Sequence, residues 1–319
     1  MNNYQLVVDF LRVGFGECSC LRLIGEDSTF TILVDGGDND DKIYQKNPKR
    51  IRVSEYLKEE KIEQIDLLVL THFHRDHIGG IAEIIDQVEI KEAWLNYNFK
   101  AKQLNQVLKL KQDSTMGQSL LLYQKISQGL KQQETKVTVV NQDISLKIKD
   151  LEIKALAPSK EILNKLDSDI SYLFKSANSN EVQTKLLEID RYLNSASIPL
   201  KLSFRERSLL LTADLPLANW DDFKDQNLTA DLLTAPHHGD LAAISLDLLE
   251  SIKPAYFIIC ADNEGTYGLP NEGIEKLIKD YDQNIKICYT ESPDLKLAND
   301  SHLLRFLITA EGKIDNKLI

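Results

Sequence analysis

The chain has 319 residues, 43% of them hydrophobic and 27% charged, which gives an ordinary globular protein with enough apolar mass for a sizeable core. Its net charge of −11 repels polyanions at long range, which argues against tight nonspecific nucleic-acid binding but leaves room for a nuclease that gathers positive charge locally. No apolar run approaches the roughly 20 residues of a bilayer span, and the N-terminus lacks the basic start and apolar core of a secretion signal. A cytoplasmic protein with no membrane partner is the expectation.

Residues 5–13 alternate loosely and read as a strand, closed by the turn Gly14-Phe15-Gly16-Glu17. Residues 18–23 and 29–34 read as a strand pair, the second ending at Asp35-Gly36-Gly37, where two glycines permit a sharp turn. Residues 38–50 are polar and irregular, and 52–61 have helical spacing. Residues 65–70 form a short continuous apolar run, the mark of a strand covered on both faces. That run leads straight into Thr71-His72-Phe73-His74-Arg75-Asp76-His77-Ile78-Gly79-Gly80, read here as a loop. Helical spacing follows at 81–88 and a strand stub at 93–95.

The middle is different. Residues 100–133 and 159–193 place apolar residues at helical spacing in a polar background, the pattern of solvent-exposed helices. Between them, 136–140 and 144–156 alternate as strands do. Strand signals return at 199–204 and 208–212, which form a hairpin around Arg205-Glu206-Arg207. Trp220 and Phe223 fall in a helix; 231–234 is a strand leading into Pro236-His237-His238-Gly239. Helix, strand, helix and strand follow at 245–252, 255–260, 271–279 and 286–289. This alternation at both ends suggests two βαβ-type halves facing each other.

Six histidines occur in the chain, and half of them fall in the cluster His72, His74, His77, together with Asp76, directly after a buried strand. Imidazole and carboxylate suit Zn²⁺, Mn²⁺ or Fe, and α/β folds place their sites at the carboxyl ends of strands. His237 and His238 stand beside a glycine turn after another strand, so this pair supplies a second candidate ligand. Asp214, just past a strand end, can bridge two metals or cap the next segment. The four cysteines, Cys18, Cys20, Cys260 and Cys288, sit in apolar surroundings and read as reduced packing residues.

Taken in order, these motifs resemble the metallo-β-lactamase superfamily, and within it the soluble hydrolase domain of bacterial competence (DNA-uptake) channel proteins. Val13-Gly14-Phe15-Gly16-Glu17 is similar to that group's Val-Gly-Gln-Gly-Asp, Ile32-Leu33-Val34-Asp35-Gly36-Gly37 to its Leu-Ile-Asp-Gly-Gly, and Thr71–Gly80 to its Thr-His-x-His-x-Asp-His-Ile-Gly-Gly. Leu210-Leu211-Thr212-Ala213-Asp214, Pro236-His237-His238-Gly239-Asp240 and Tyr267-Gly268-Leu269-Pro270 resemble Leu-Leu-Thr-Gly-Asp, His-His-Gly-Ser and Tyr-Gly-His-Pro. Two departures stand out. Leu269 replaces a histidine, and the stretch that usually adds a histidine to the first metal reads Asn194-Ser195-Ala196-Ser197. Asn194 is there a weak ligand, a substrate contact or a turn former.

The resemblance implies an α/β chain folded as a four-layer αβ/βα metallo-β-lactamase sandwich, one domain over 1–319 with helix-rich additions at about 100–195. It implies one or two ions per chain, zinc with manganese at the weaker position. His72 and His74 would hold the first, completed by Asp214 and Asn194; Asp76 and His77 would hold the second, with Asp214 bridging and His237 closing it. Asp35 would orient a ligating histidine. Asp76 is counted among the catalytic residues, and His238 and Tyr267 are the candidate proton donors. The implied activity is metal-dependent hydrolysis by a metal-bound hydroxide, of a small-molecule or nucleic-acid phosphodiester. The alternatives are lactam, lactone or thioester hydrolysis, or a non-catalytic module with a partly eroded metal site.

Overall fold

The computed structural model describes residues 4–108, 114–141, 144–223, 225–292 and 301–319. The chain begins with β1 (Gln5–Leu11), β2 (Ser19–Ile24) and β3 (Thr29–Val34), then α1 (Asp41–Lys46), α2 (Val53–Glu59), β4 (Gln64–Leu70), α3 (Arg75–Ile84) and β5 (Glu89–Leu95). The middle holds α4 (Ala101–Leu104), α5 (Thr115–Gln132), β6 (Lys136–Val139), β7 (Ser145–Ile148), β8 (Leu151–Ala155), α6 (Lys160–Leu173) and α7 (Ser179–Leu193). The last part adds β9 (Leu200–Phe204), β10 (Arg207–Leu211), β11 (Leu232–Thr234), α8 (Leu246–Ile252), β12 (Tyr256–Ile259), α9 (Ile274–Tyr281), β13 (Lys286–Tyr289), β14 (Leu303–Ile308) and β15 (Ile314–Leu318). Part of the helical stretch expected at 100–133, residues 109–113, lies outside the described residues.

Two sheets result. One is eight-stranded in the order β15-β14-β1-β2-β3-β4-β5-β6, and the other seven-stranded in the order β13-β12-β11-β10-β9-β8-β7. In each, antiparallel pairing gives way to parallel pairing: β3, β4, β5 and β6 run parallel in the first, and β10 to β13 in the second. Strand alternation then sorts the apolar residues into layers. Ile32, Val34, Leu67, Val69, Leu209 and Leu211 face the space between the sheets. Their neighbours Leu33, Leu68 and Leu70 turn outward against Tyr56, Ile81, Ile85 and Leu186 from the helices. On the other side Leu210 and Leu233 meet Leu249, Ile252 and Ile278. Helix, sheet, sheet and helix thus make four layers, and the run at 65–70 is unbroken because both of its faces are buried.

The structure departs from the sequence reading in several places. The helix after the histidine motif starts at Arg75, not at 81, so Asp76 and His77 belong to its first turn rather than to a loop. A Cβ on Gly79 would come within 2.5 Å of Asn39 N, and one on Gly80 within 2.1 Å of Gly36 O. The two glycines let α3 lie close against the Asp35-Gly36-Gly37 turn and the residues after it. Within the middle, β6 lies at the edge of the first sheet and β7–β8 in the second, so this stretch supplies strands to both sheets, and α5 is the crossover between the parallel strands β5 and β6. Residues 41–46, read as irregular, form α1, and the C-terminal hairpin β14–β15, not assigned in the sequence reading, pairs with β1.

A buried ion network ties that hairpin down. Asp9, with no exposed surface, accepts from Tyr56 Oη at 2.6 Å, Arg22 Nη2 at 3.1 Å, and Arg305 Nε and Nη2 at 2.6 and 2.7 Å. Glu60 accepts from Arg22 and Arg305, each at 2.6 Å. The carboxylates hold two guanidiniums between β1, β2, β14 and the end of α2.

Candidate metal centre

The ends of β3, β4, β10 and β11 converge at one edge of the sandwich. Asp35 follows β3 with φ of 57°, a left-handed turn that swings its carboxylate beneath the β4 end. It accepts Thr71 N at 2.9 Å, Thr71 Oγ1–H at 2.6 Å and His77 Nδ1–H at 2.7 Å. Because Thr71 gives its proton to Asp35, its oxygen accepts from His72 Nδ1 at 3.1 Å. One buried carboxylate therefore fixes two histidines with Nδ1 protonated and Nε2 free. His238 reaches the same state by donating Nδ1–H to Cys260 O at 2.8 Å.

The free donors gather in overlapping groups: His72, His74 and Asp214; Asp76, His77 and His238; and Glu17, His77 and Asp214. Asp214 Oδ2 lies 3.6 Å from His72 Nε2 and 3.4 Å from His77 Nε2, while Oδ1 lies 3.6 Å from His238 Nε2. Asp76 Oδ2 is 3.3 Å from His238 Nε2 and 3.6 Å from His77 Nε2. Ligands about 2.1 Å from a tetrahedral ion stand about 3.4 Å apart, which is the spacing of these pairs. His77 Nε2, His238 Nε2 and Asp214 Oδ1 are buried with no hydrogen-bond partner among the described residues. Leaving three such atoms unpaired costs several kcal/mol in total unless a cation completes them. The donor set fits one or two divalent cations.

The electrostatics point the same way. Burial lowers the His72 pKa well below its usual value, and His77 lowers it further. Burial opposes charge on His77 and His238 as well, yet Asp214 and Asp76 lift His77 well above the ordinary range and His238 to about 9. Asp214 and Asp76 are held below the carboxylate range, against burial, by those same histidines. Burial pushes Glu17 up to about 7. The carboxylates create a demand for positive charge that a bound cation supplies.

The expected residues are not all where the sequence put them. His238, not His237, faces the Asp76–His77 group. The backbone has positive φ at both, 49° at His237 and 57° at His238, and the two rings find different partners. His237 donates Nδ1–H to Asp240 at 3.0 Å and accepts from Asn194 Nδ2 at 3.3 Å, which leaves Nε2 3.9 Å from Asp214. His238, expected as a proton donor, is instead 2% exposed with Nε2 among the donor atoms. Tyr267, the other expected proton donor, is 86% exposed at the mouth of the cleft. Asn194 lies beside His237, with Nδ2 3.3 Å from His237 Nε2 and Oδ1 buried without a hydrogen-bond partner among the described residues.

Sequence reasoning missed Asp190 and the central place of Glu17. Asp190, on the added helix α7, lies with Oδ1 3.2 Å from His74 Nε2. His74 then presents Nδ1, 2.9 Å from His72 Nε2. Asn194 follows Asp190 by four positions, so one helix face delivers both to the site. That spacing was the available signal. The Glu17 backbone N–H bonds to Asp76 O at 3.2 Å, and a Cβ on Gly16 would come within 2.3 Å of the same oxygen; this contact seats the Glu17 carboxylate against the helix carrying Asp76.

The donors form the floor of a cleft of about 890 Å³, walled by Phe15, Lys46, Arg50, Arg75, Asp190 and Tyr267 among others. Among the described residues no helix is long and apolar enough to cross a membrane.

Parts of the chain are similar to known proteins. Residues 13–98 match the model of the Metallo-beta-lactamase superfamily. ComE operon protein 3 of Bacillus subtilis (strain 168) is 21% identical over 226 residues, 70% of this chain but 23% of that protein, so the chain spans about a quarter of the relative it matches. Among solved structures, the metallo-beta-lactamase fold protein YhfI from Bacillus subtilis is 14% identical with a TM-score of 0.43, covering 92% of this chain and 97% of that one. Zn²⁺-bound PqqB from Methylobacterium extorquens is 11% identical with a TM-score of 0.44, covering 89% and 97%. CmlA, a diiron β-hydroxylase from Streptomyces venezuelae, is 13% identical with a TM-score of 0.45, covering 88% and 52%. The resemblance read from the motifs is thus matched by the superfamily model, and the fold is the metallo-β-lactamase sandwich.

Proposed function

We propose that this chain is a metal-dependent hydrolase of phosphodiesters, and that zinc, or manganese at the more weakly held position, is its ion. The observation that carries the metal-dependent reading is the set of orphaned donors: His77 Nε2, His238 Nε2 and Asp214 Oδ1 are buried, unpartnered and aimed at one another. His72, His74 and Asp214 would hold one cation; Asp76, His77, His238 and Asp214 would hold the other, with Glu17 beside the shared carboxylate. Bound there, divalent cations would lower the pKa of a water and stabilise the negative charge that develops on the substrate.

The remaining work falls to side chains. Asp35 keeps His77 and, through Thr71, His72 in the tautomer that offers Nε2. Cys260 O does the same for His238. Lys46, Arg50 and Arg75 line the cleft wall, each paired with carboxylates: Lys46 with Glu264, Arg50 with Glu264 and Glu291, and Arg75 with Asp38 and Asp40. The phosphodiester reading is supported by the ordered motif resemblance to the competence-protein hydrolase domain. Elemental analysis together with turnover of bis-p-nitrophenyl phosphate, nitrocefin and a thioester tests it. Metal-dependent turnover of the phosphodiester alone is expected. Turnover of nitrocefin or the thioester with inertness to phosphodiesters reverses the substrate class, and a protein that neither carries nor takes up metal overturns the reading.

A further inference from the structure

The floor of the cleft accounts for a reacting group, but a cleft of about 890 Å³ holds much more than a phosphate. One wall is aromatic. The Phe15 ring lies 4.6 Å from the His238 ring, and the Tyr267 ring lies 5.1 Å from Phe15 in a T-shaped contact, so two ring-to-ring steps lead from the metal-site floor to the mouth. Tyr267 is 86% exposed; the other exposed aromatic among the described residues, Tyr172, is at 41%. The open face stands beside the cleft mouth, where a flat group of a bound substrate can stack on it.

The loop carrying it is built to hold the ring there. Tyr267 sits at φ 54°, a left-handed conformation uncommon for a bulky residue, between Gly265 at 71° and Gly268 at 74°. Buried Asp262 accepts from Glu264 N and Thr266 N, each at 3.2 Å, and from Thr266 Oγ1. Gly268 N and Leu269 N bond back to Gly265 O and Thr266 O at 2.8 and 3.0 Å, and Asn271 Nδ2 holds Gly268 O at 2.9 Å. The ring is exposed on a pinned backbone, so little ordering is needed when a ligand stacks on it.

We propose that Tyr267 is a stacking platform for the nucleobase of the substrate, the base resting on the exposed face while the phosphodiester lies on the metal-site floor. This deepens the phosphodiester reading and rests on it. A tyrosine face accepts any base, so the platform selects nucleotides over simple phosphodiesters without selecting sequence. Tyr267 thereby determines specificity, and the motif position that suggested a proton donor has a binding role.

The test is titration of the metal-loaded full chain with AMP and with ribose 5-phosphate, which share the phosphate and sugar and differ in the base. Wild type should bind AMP the more tightly. Tyr267→Ala should lose at least about fivefold, and up to about 100-fold, on AMP while ribose 5-phosphate stays within about twofold; Tyr267→Phe should keep AMP binding. Unchanged AMP affinity in Tyr267→Ala overturns the platform and leaves the phosphodiester reading standing. Equal losses on both ligands also overturn it, because the residue would then act through the loop. A wild type that binds neither ligand removes the phosphodiester reading and the platform together.

Discussion

Replacing Asp190 by alanine isolates what the added helices contribute to the metal centre. The carboxylate of Asp190 is the acceptor for His74 Nε2 at 3.2 Å, and it fixes which nitrogen His74 turns toward His72 and Asp214. Outer carboxylates of this kind are worth roughly 10- to 100-fold in metal affinity. The Asp190 side chain is 47% exposed, so solvent screens its charge and the lower end applies: about tenfold, or about 1.4 kcal/mol. Alanine favours the helix, so metal-free stability should move by less than about 0.5 kcal/mol. Chelator competition reads the two sites separately. The His72–His74 site should weaken about tenfold and the Asp76–His77–His238 site stay as in wild type, with Asp190→Asn, which keeps an acceptor, falling between. Unchanged affinity at both sites would refute the argument, and so would equal weakening at both, since that outcome reports a global disturbance.

Three further outcomes are expected. His238→Ala should lose one equivalent of bound metal by elemental analysis, whereas His237→Ala should keep it, because only His238 Nε2 stands among the donors of the Asp76 group. Chelation should lower thermal stability and added Zn²⁺ or Mn²⁺ should restore it, by about 2.7 kcal/mol at a hundredfold excess over Kd; a melting temperature indifferent to both would count against metal binding to the folded state. Arg305→Met should destabilise the fold by about 2–3 kcal/mol in urea unfolding, since it strips two bonds from buried Asp9 while Arg22 remains. The same variant should respond less to acid. Burial would raise the Glu60 pKa, but Arg305 and Arg22 hold it below the usual value. Its contribution is therefore full above roughly pH 4.3 and is lost as pH falls through the folded-state value, and removing Arg305 shrinks that loss.

Where pattern and function share residues, the sequence was legible. The unbroken run at 65–70 announced a strand buried on both faces, and the histidines after it could only project from its carboxyl end. The start of α3 was hidden because Gly79 and Gly80 are poor helix formers, and their place inside a helix is explained only by the close fit against Asn39 and Gly36. β14 and β15 were hidden because β15 is largely exposed and its place is set by pairing across the whole chain to β1. Nor could local sequence choose between His237 and His238. Their ring directions depend on Cys260 O and Asp240, on the turn's positive φ values, and on Asn194 from a separate helix.

The site is an outcome of closing the sandwich rather than of any one segment. His72 to His77 come from the end of β4 and the start of α3 in the first sheet layer; Asp214 and His238 come from the ends of β10 and β11 in the second. Asp214 makes its approaches to His72 and His77 across the inter-sheet core, so its geometry exists only when the two sheets are packed. Glu17, from the loop after β1, is drawn in by the bond to Asp76 O, and Asp190 and Asn194 by the run of α7 into β9, the strand paired with β10. A cation bound here therefore links both sheets and the added helices at once, and its binding energy is stabilisation of the closed fold.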